Sequence, residues 1–220
     1  MTQTLLITGA GRGVGRALAE AALARGDRVL AGVRAAAAAP AGAQALVLDV
    51  TDPASLAAAA ASLGGRAVDV LVCNAGVYAG RGGVDDPAYT PEAWTQVMAV
   101  NVAGPFFTVR AFLPALRRSA RPRVAVISSQ MGVSARAKGN AYIYRASKAA
   151  ATNLAMNLAA ELAPVAVGAY HPGWVRTDMG GAGADIAPAE SAAGLLARFD
   201  ALGPDHTGVV EDWRGERLPF

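Results

Sequence analysis

A chain of 220 residues, 53% of them apolar, can bury a large core and is too apolar to stay disordered. A formal charge of +3 is too small for a nucleic-acid binder, the single Cys73 excludes an internal disulfide, and His171 and His206 lie too far apart for metal-ligand spacing, so no metal is expected. The apolar residues that open the chain have no basic leader and are too few for a secretory core or a membrane span, so a cytoplasmic protein without membrane contact is expected.

Short β-branched runs alternate with helical patterns along the sequence. Strands are predicted at Thr4 to Thr8, Arg28 to Val33, Ala45 to Val50, Val68 to Cys73, Arg123 to Ser128, Val165 to His171 and Gly208 to Glu211. Nearly continuous apolar strands imply burial on both faces, and alternation with helices makes the sheet parallel. Pro53, Pro91 and Pro188 predict helix starts as first-turn prolines, and Gly26 closes the first helix. Arg117, Arg118, Arg121 and Arg123 follow the apolar stretch Asn101 to Leu116 and read as solvated cations at its C-terminus. Helices near residues 101 to 118 and 142 to 162 carry apolar faces that could pair as a homodimer or homotetramer, or be buried within one subunit. No repeat or composition shift divides residues 1–220, so the fold class expected is α/β: a single doubly wound domain with a seven-stranded parallel sheet and helices on both faces. Its ligand crevice would lie beyond the carboxyl ends of the strands.

The first strand runs into Thr8-Gly9-Ala10-Gly11-Arg12-Gly13-Val14-Gly15 and then a helix. Glycines at 9, 13 and 15 allow a tight turn and close backbone approach to a pyrophosphate, which the free amides of the helix N-terminus would bind. The spacing is not G-x-G-x-x-G, because Val14 stands where the last Gly would fall counting from Gly9. Further on, Tyr144 and Lys148 are four residues apart and leave one helix face together, so an ammonium beside the phenol would favour its ionised form. Lys138 and Lys148 are the only lysines among 20 basic residues. A compact ammonium can touch a phenol and a ribose hydroxyl together, which a flat guanidinium cannot do in the same space.

With Asp49-Val50 after the third strand, Asn74-Ala75-Gly76 after the fourth, Asn101, Ser128-Ser129 after the fifth, the Tyr144/Lys148 pair and Pro172-Gly173 after the sixth, the chain resembles a short-chain dehydrogenase/reductase over nearly its whole length. Tyr144 to Lys148, His171 to Gly180 and the stretch from Gly208 to Phe220 are similar to the C-factor-like and sniffer-like carbonyl reductase group. The resemblance implies a Rossmann domain that binds NAD(P) and moves a hydride to or from a small-molecule carbonyl or alcohol. Tyr144 would exchange a proton with the substrate oxygen, and Lys148 would lower the phenol pKa and hold the nicotinamide ribose. Ser129, followed by Gln130-Met131-Gly132, would hydrogen-bond the substrate carbonyl, with Ser128 as the fallback; the loop from Val133 to Asn140 must bulge to accommodate the spacing to Tyr144. Asn101 would anchor a water beside Lys148, or else bond helix backbone. Asp49 would accept from the adenine amino group with Val50 packing on the ring, Asn74, Ala75 and Gly76 would line the adenosine ribose, and Pro172, Gly173, Val175 and Thr177 would close over the nicotinamide.

Charge argues the cofactor choice. A site for NAD would want a carboxylate near the end of the second strand, whereas this chain has Gly32-Val33-Arg34. Arg34 suits a 2′-phosphate and Arg12 could reach the same group, so NADP(H) is expected to be preferred over NAD(H). The run Gly180 to Ala184 lacks bulky anchors and reads as a mobile lid, or as a plain connection to the next helix. The alternative function is a nucleotide-binding signalling or scaffold protein on the same fold, with little or no catalysis.

Overall fold

The structure, a computed structural model, describes residues 2–219. Strands β1 (Thr4–Thr8), β2 (Arg28–Val33), β3 (Gln44–Val47), β4 (Val70–Cys73), β5 (Arg123–Ile127), β6 (Ala166–His171) and β7 (Val209–Asp212) pair in parallel in the order β3-β2-β1-β4-β5-β6-β7. Side-chain alternation splits the sheet's apolar residues between two cores. Leu6, Leu30, Leu71 and Val124 meet helices α2 (Pro53–Ala61), α4 (Gly104–Leu116) and α5 (Tyr142–Glu161) on one face. Leu5, Ile7, Val70 and Val72 meet α1 (Gly13–Ala24) and α6 (Pro188–Ala201) on the other. The sheet is therefore covered on both sides, as the continuous apolar strands require.

Helix starts follow the local chemistry. Asp52 caps α2 by accepting from Ala54 N at 2.8 Å, and Thr90 caps α3 (Pro91–Met98) by accepting from Ala93 N at 3.2 Å. The helical run Pro91–Leu116 is apolar and long enough to cross a membrane, but its Val109, Phe112 and Leu116 are packed into the core beneath the sheet. Within that run, Ala99–Ala103 is a π-helical turn carrying Asn101.

Two expectations change. The third strand ends at Val47 rather than Val50: Asp49 turns its carboxylate onto the N–H and hydroxyl of Thr51, and Val50 packs down on Gly104. Arg123 is not solvated. It opens β5 at 2% exposure, and its guanidinium donates to the carbonyls of Phe199 and Arg121 and to the Gln3 side chain. Three acceptors compensate the burial of that charge, which periodicity alone cannot reveal.

The strand order reverses between β1 and β4, whose neighbours in the sheet follow opposite directions of the chain. Loops leaving the carboxyl ends of these two strands diverge and open a crevice, the place where doubly wound sheets bind ligands.

Candidate active site

At the end of β1, the Thr8 hydroxyl accepts from Asn74 N and Ala75 N at 3.0 and 3.1 Å, and Asn74 Nδ2 donates to Thr8 O at 2.9 Å. These bonds tie the loops after β1 and β4 together. A Cβ on Gly15 would stand 2.4 Å from Asn74 Nδ2 and 2.4 Å from Gly9 O, and Gly9 itself sits at φ +67° against Ala75. The glycines are thus required by close backbone packing and by a left-handed turn. Helix α1 begins here with no side chain capping its first amides, so those N–H groups face the crevice free for an anion. Gly15→Ala is expected to destabilise the fold by about 1–3 kcal/mol, as overpacking does; thermal unfolding checks it.

The facing wall comes from the loop after β6. Gly173, at φ +87°, lies under Ile186 and Trp213, Pro172 O accepts from Ser191 Oγ at 2.6 Å, and Val175 is buried. Thr177 approaches Gly13, and Arg12 faces Asp178 at 3.9 Å, so the two loops meet across the crevice. The run from Gly180 to Ala184 is better anchored than its composition suggests. Trp174 Nε1 donates to Gly180 O at 2.9 Å, Arg176 to Ala184 O at 3.1 Å, Thr177 O accepts from Gly181 N at 2.8 Å, and Ala184 is buried. The anchors come from residues several positions earlier, which is why the glycine run misled.

Beyond β4 and β5 the structure brings Ser129, Tyr144, Lys148 and Asn101 to one place, all buried. A Cβ on Gly132 would stand 2.7 Å from the backbone of Lys148 and Ala149, so the turn Gln130–Gly132 can approach α5 only with glycine there. That approach sets Ser129 beside the Tyr144 phenol. Ser128 points elsewhere, to Thr152 Oγ1 at 2.6 Å and Lys148 O at 3.0 Å. The loop between Ser129 and α5 does bulge, with residues 134–139 exposed. It delivers Ala141 at φ 52°, a left-handed alanine immediately before α5, where such backbone is unfavourable outside glycine.

Asn101 is held by protein at both ends of its amide. Its Oδ1 accepts from Val77 N at 2.9 Å, while Nδ2 donates to Val77 O at 2.9 Å and Ser147 Oγ at 3.0 Å. Its side chain clamps the loop after β4 to α5. Lys148 Nζ donates to Ile127 O at 2.8 Å and lies near Gly76, 5.6 Å from the centre of the Tyr144 ring.

The electrostatics correct the expected lysine effect. Burial pushes the Tyr144 phenol up to about 12, with the Ser129 hydroxyl pulling it down, and burial brings the Lys148 ammonium down to about 8. Desolvation disfavours the charged form of each, and the ammonium is turned to the Ile127 carbonyl instead of relieving the phenol. His171, at the end of β6, is a buried group of a different kind: burial lowers it to about 4, outweighing the opposing charge of Asp212. Between about 4 and its ordinary value near 6.5 the unfolded chain holds a proton the folded chain lacks, so stability falls as pH drops through that window. A loss of about 3 kcal/mol is expected there, largely removed in His171→Gln, by denaturant unfolding at stepped pH.

On the side of β2 and β3, Arg34 is exposed and its charge helps hold the Asp49 carboxyl below its ordinary pKa, after the larger effect of two bonds from Thr51. Val50 packs against Gly104 at the edge of the core. The Gly15 cradle, the uncapped α1 amides and the exposed Arg12 and Arg34 together fit a phosphorylated dinucleotide lying across the switch point.

The sequence offered no sign of two residues at the crevice mouth. Tyr78 stacks on Tyr144 with ring centres 4.3 Å apart, and the Arg81 guanidinium lies 4.5 Å from the Tyr78 ring. They stand more than 60 positions before Tyr144, a separation that no local pattern spans.

Known proteins resemble this arrangement over most or all of the chain. Residues 3–185 match the family described as short chain dehydrogenase. The C-signal protein of Myxococcus xanthus is 40% identical over 157 residues, covering 70% of this chain and 93% of its own. The NADPH-bound carbonyl reductase from chicken fatty liver superposes with a TM-score of 0.90 at 30% identity, covering 100% of this chain and 99% of its own. The carbonyl reductase Sniffer of D. melanogaster gives a TM-score of 0.92 over the full length of both chains at 24% identity, a likeness of fold.

Proposed function

The chain belongs to the short chain dehydrogenase family, and from that premise we propose that it is an NADP(H)-dependent carbonyl reductase of the C-factor-like and sniffer-like group, with Tyr144 as its acid and base. The nicotinamide, when bound, supplies the hydride to the substrate carbon or takes it away. Every other task falls to this chain's side chains and backbone. The amides at the start of α1 bind the pyrophosphate, with Gly9, Gly13 and Gly15 allowing the approach and Val14 packing the helix to the sheet. Ala75 and Gly76 line one side of the ribose edge, and Pro172, Gly173, Val175 and Thr177 line the other wall.

In reduction, a phenol held near 12 is protonated at neutral pH and donates to the substrate oxygen as charge develops there. Ser129 donates a hydrogen bond to the same oxygen. Lys148 holds the ribose through its compact, three-donor ammonium. Asn101 keeps the loop after β4 in register with α5 so that Gly76 stays beside Lys148. The observation that carries the reading is the convergence of Ser129, Tyr144 and Lys148, all buried, at the head of the switch-point crevice. A protein that only bound nucleotide would have no use for a buried phenol beside a hydroxyl donor.

A panel of ketones and aldehydes, followed through NADPH absorbance, tests this directly. Turnover of at least one carbonyl is expected. Wild-type protein that binds NADPH but reduces none of the panel would favour the alternative signalling or scaffold reading.

A further inference from the structure

The Tyr78 and Arg81 stack lies against the proposed acid, yet the proton transfer as described does not use it. Tyr78 presents its ring to Tyr144 at 4.3 Å and 24° from parallel, a close stack. The segment that carries it is pinned at both ends. Immediately before it, both backbone groups of Val77 are bonded by Asn101; after it, the N–H groups of Arg81 and Gly82 donate to Asp86 Oδ2 at 2.9 and 2.7 Å. Arg81 lies over the Tyr78 ring and donates from Nη2 to Met179 O at 2.8 Å, reaching across the crevice to the loop after β6. The ring is thus a fixed plate, tied to both walls of the site.

We propose that Tyr78, steadied by Arg81, is a positioning residue for Tyr144: its ring fixes the tilt of the phenol, and hence the direction of the oxygen that meets the substrate. This rests on the acid/base reading above. Helix α5 sets where Tyr144 leaves the backbone, but the phenol oxygen lies at the far end of the side chain, where a modest rotation moves it by about an ångström. Proton transfer requires hydrogen-bond reach in the reacting geometry, and a misplacement of about 1 Å costs up to about a hundredfold in rate.

The test compares Tyr78→Ala, Tyr78→Phe and Arg81→Ala on the carbonyl that the panel identifies. Tyr78→Ala is expected to lower kcat about ten- to a hundredfold with KM and NADPH affinity little changed. Tyr78→Phe keeps the plate and should stay within about threefold of wild type, and Arg81→Ala, which removes one anchor, should fall between. Carbon-13 spectra of ring-labelled tyrosine give a readout independent of turnover. The Tyr144 resonances, identified by their loss in Tyr144→Phe, should move in Tyr78→Ala and hold their place in Tyr78→Phe. If Tyr78→Ala does not fold, Tyr78→Leu replaces it with the same expectations. A Tyr78→Ala enzyme within threefold of wild type in kcat, a Tyr78→Phe enzyme as impaired as Tyr78→Ala, or unmoved Tyr144 resonances in Tyr78→Ala would each overturn the proposal. A wild-type protein inactive on every carbonyl would instead remove the acid/base reading, while the spectra still report whether Tyr78 lies against the Tyr144 ring.

Discussion

Tyr144→Phe should bind NADPH with wild-type affinity and turn over its carbonyl substrate about a hundred- to ten-thousandfold more slowly. The substitution deletes one oxygen and little else. The Phe ring still stacks under Tyr78, Ser129 can still donate to the substrate oxygen, and the Lys148 ammonium keeps its bond to Ile127 O. What disappears is the proton that must reach the substrate oxygen while hydride arrives at carbon. Stability should change by only about 1 kcal/mol, the scale of one hydrogen bond, so the loss of rate would not reflect unfolding. Fluorescence titration of NADPH and the absorbance assay, run on the same preparation, separate the two effects. A variant that retains more than a tenth of wild-type kcat would remove Tyr144 from the role of acid.

Arg34→Asp should exchange the cofactor preference. In the wild-type chain a cation stands just past the end of β2, exposed and close enough to Asp49 to lower its pKa, while Arg12 on the first loop already faces Asp178. Arg34 is therefore the freer of the two charges to meet a 2′-phosphate. A charge-assisted hydrogen bond contributes about 1.5–3 kcal/mol, so its removal should raise the Kd for NADPH about ten- to a hundredfold, with repulsion from the new carboxylate adding to the loss. The same carboxylate can accept from the 2′-hydroxyl of NADH, whose Kd should fall. Calorimetric titration of both dinucleotides against both proteins decides it. Equal affinity of the wild-type protein for NADPH and NADH would refute the preference at the outset.

Several local features were legible along the chain because their causes are local. The start of α2 follows from Asp52 accepting from Ala54 N, and the start of α3 from Thr90 accepting from Ala93 N, each with proline at the next position. The seven-stranded parallel sheet follows from apolar runs that alternate with helices. The turn at Gly9 to Gly15 is readable because the left-handed backbone at Gly9 and Gly13 favours glycine. Elsewhere the governing contact lay outside the local pattern. Arg123 looked like one more surface cation until Phe199 and Gln3 supplied its acceptors, and the glycine run after residue 180 looked loose until Trp174 and Arg176 held its carbonyls.

The same division runs through the site. Sequence by itself determined the order of the strands along the chain, the glycine cradle and the four-residue step from Tyr144 to Lys148, since each is written in neighbours a few positions apart and fixed by backbone geometry. Tertiary structure alone decided that Asn101 clamps Val77, that Tyr78 lies against Tyr144, and that burial raises the phenol where a neighbouring ammonium was expected to lower it. Desolvation and ring stacking depend on which surfaces meet after the chain has closed on itself, and residues dozens of positions apart carry no record of that meeting in their spacing.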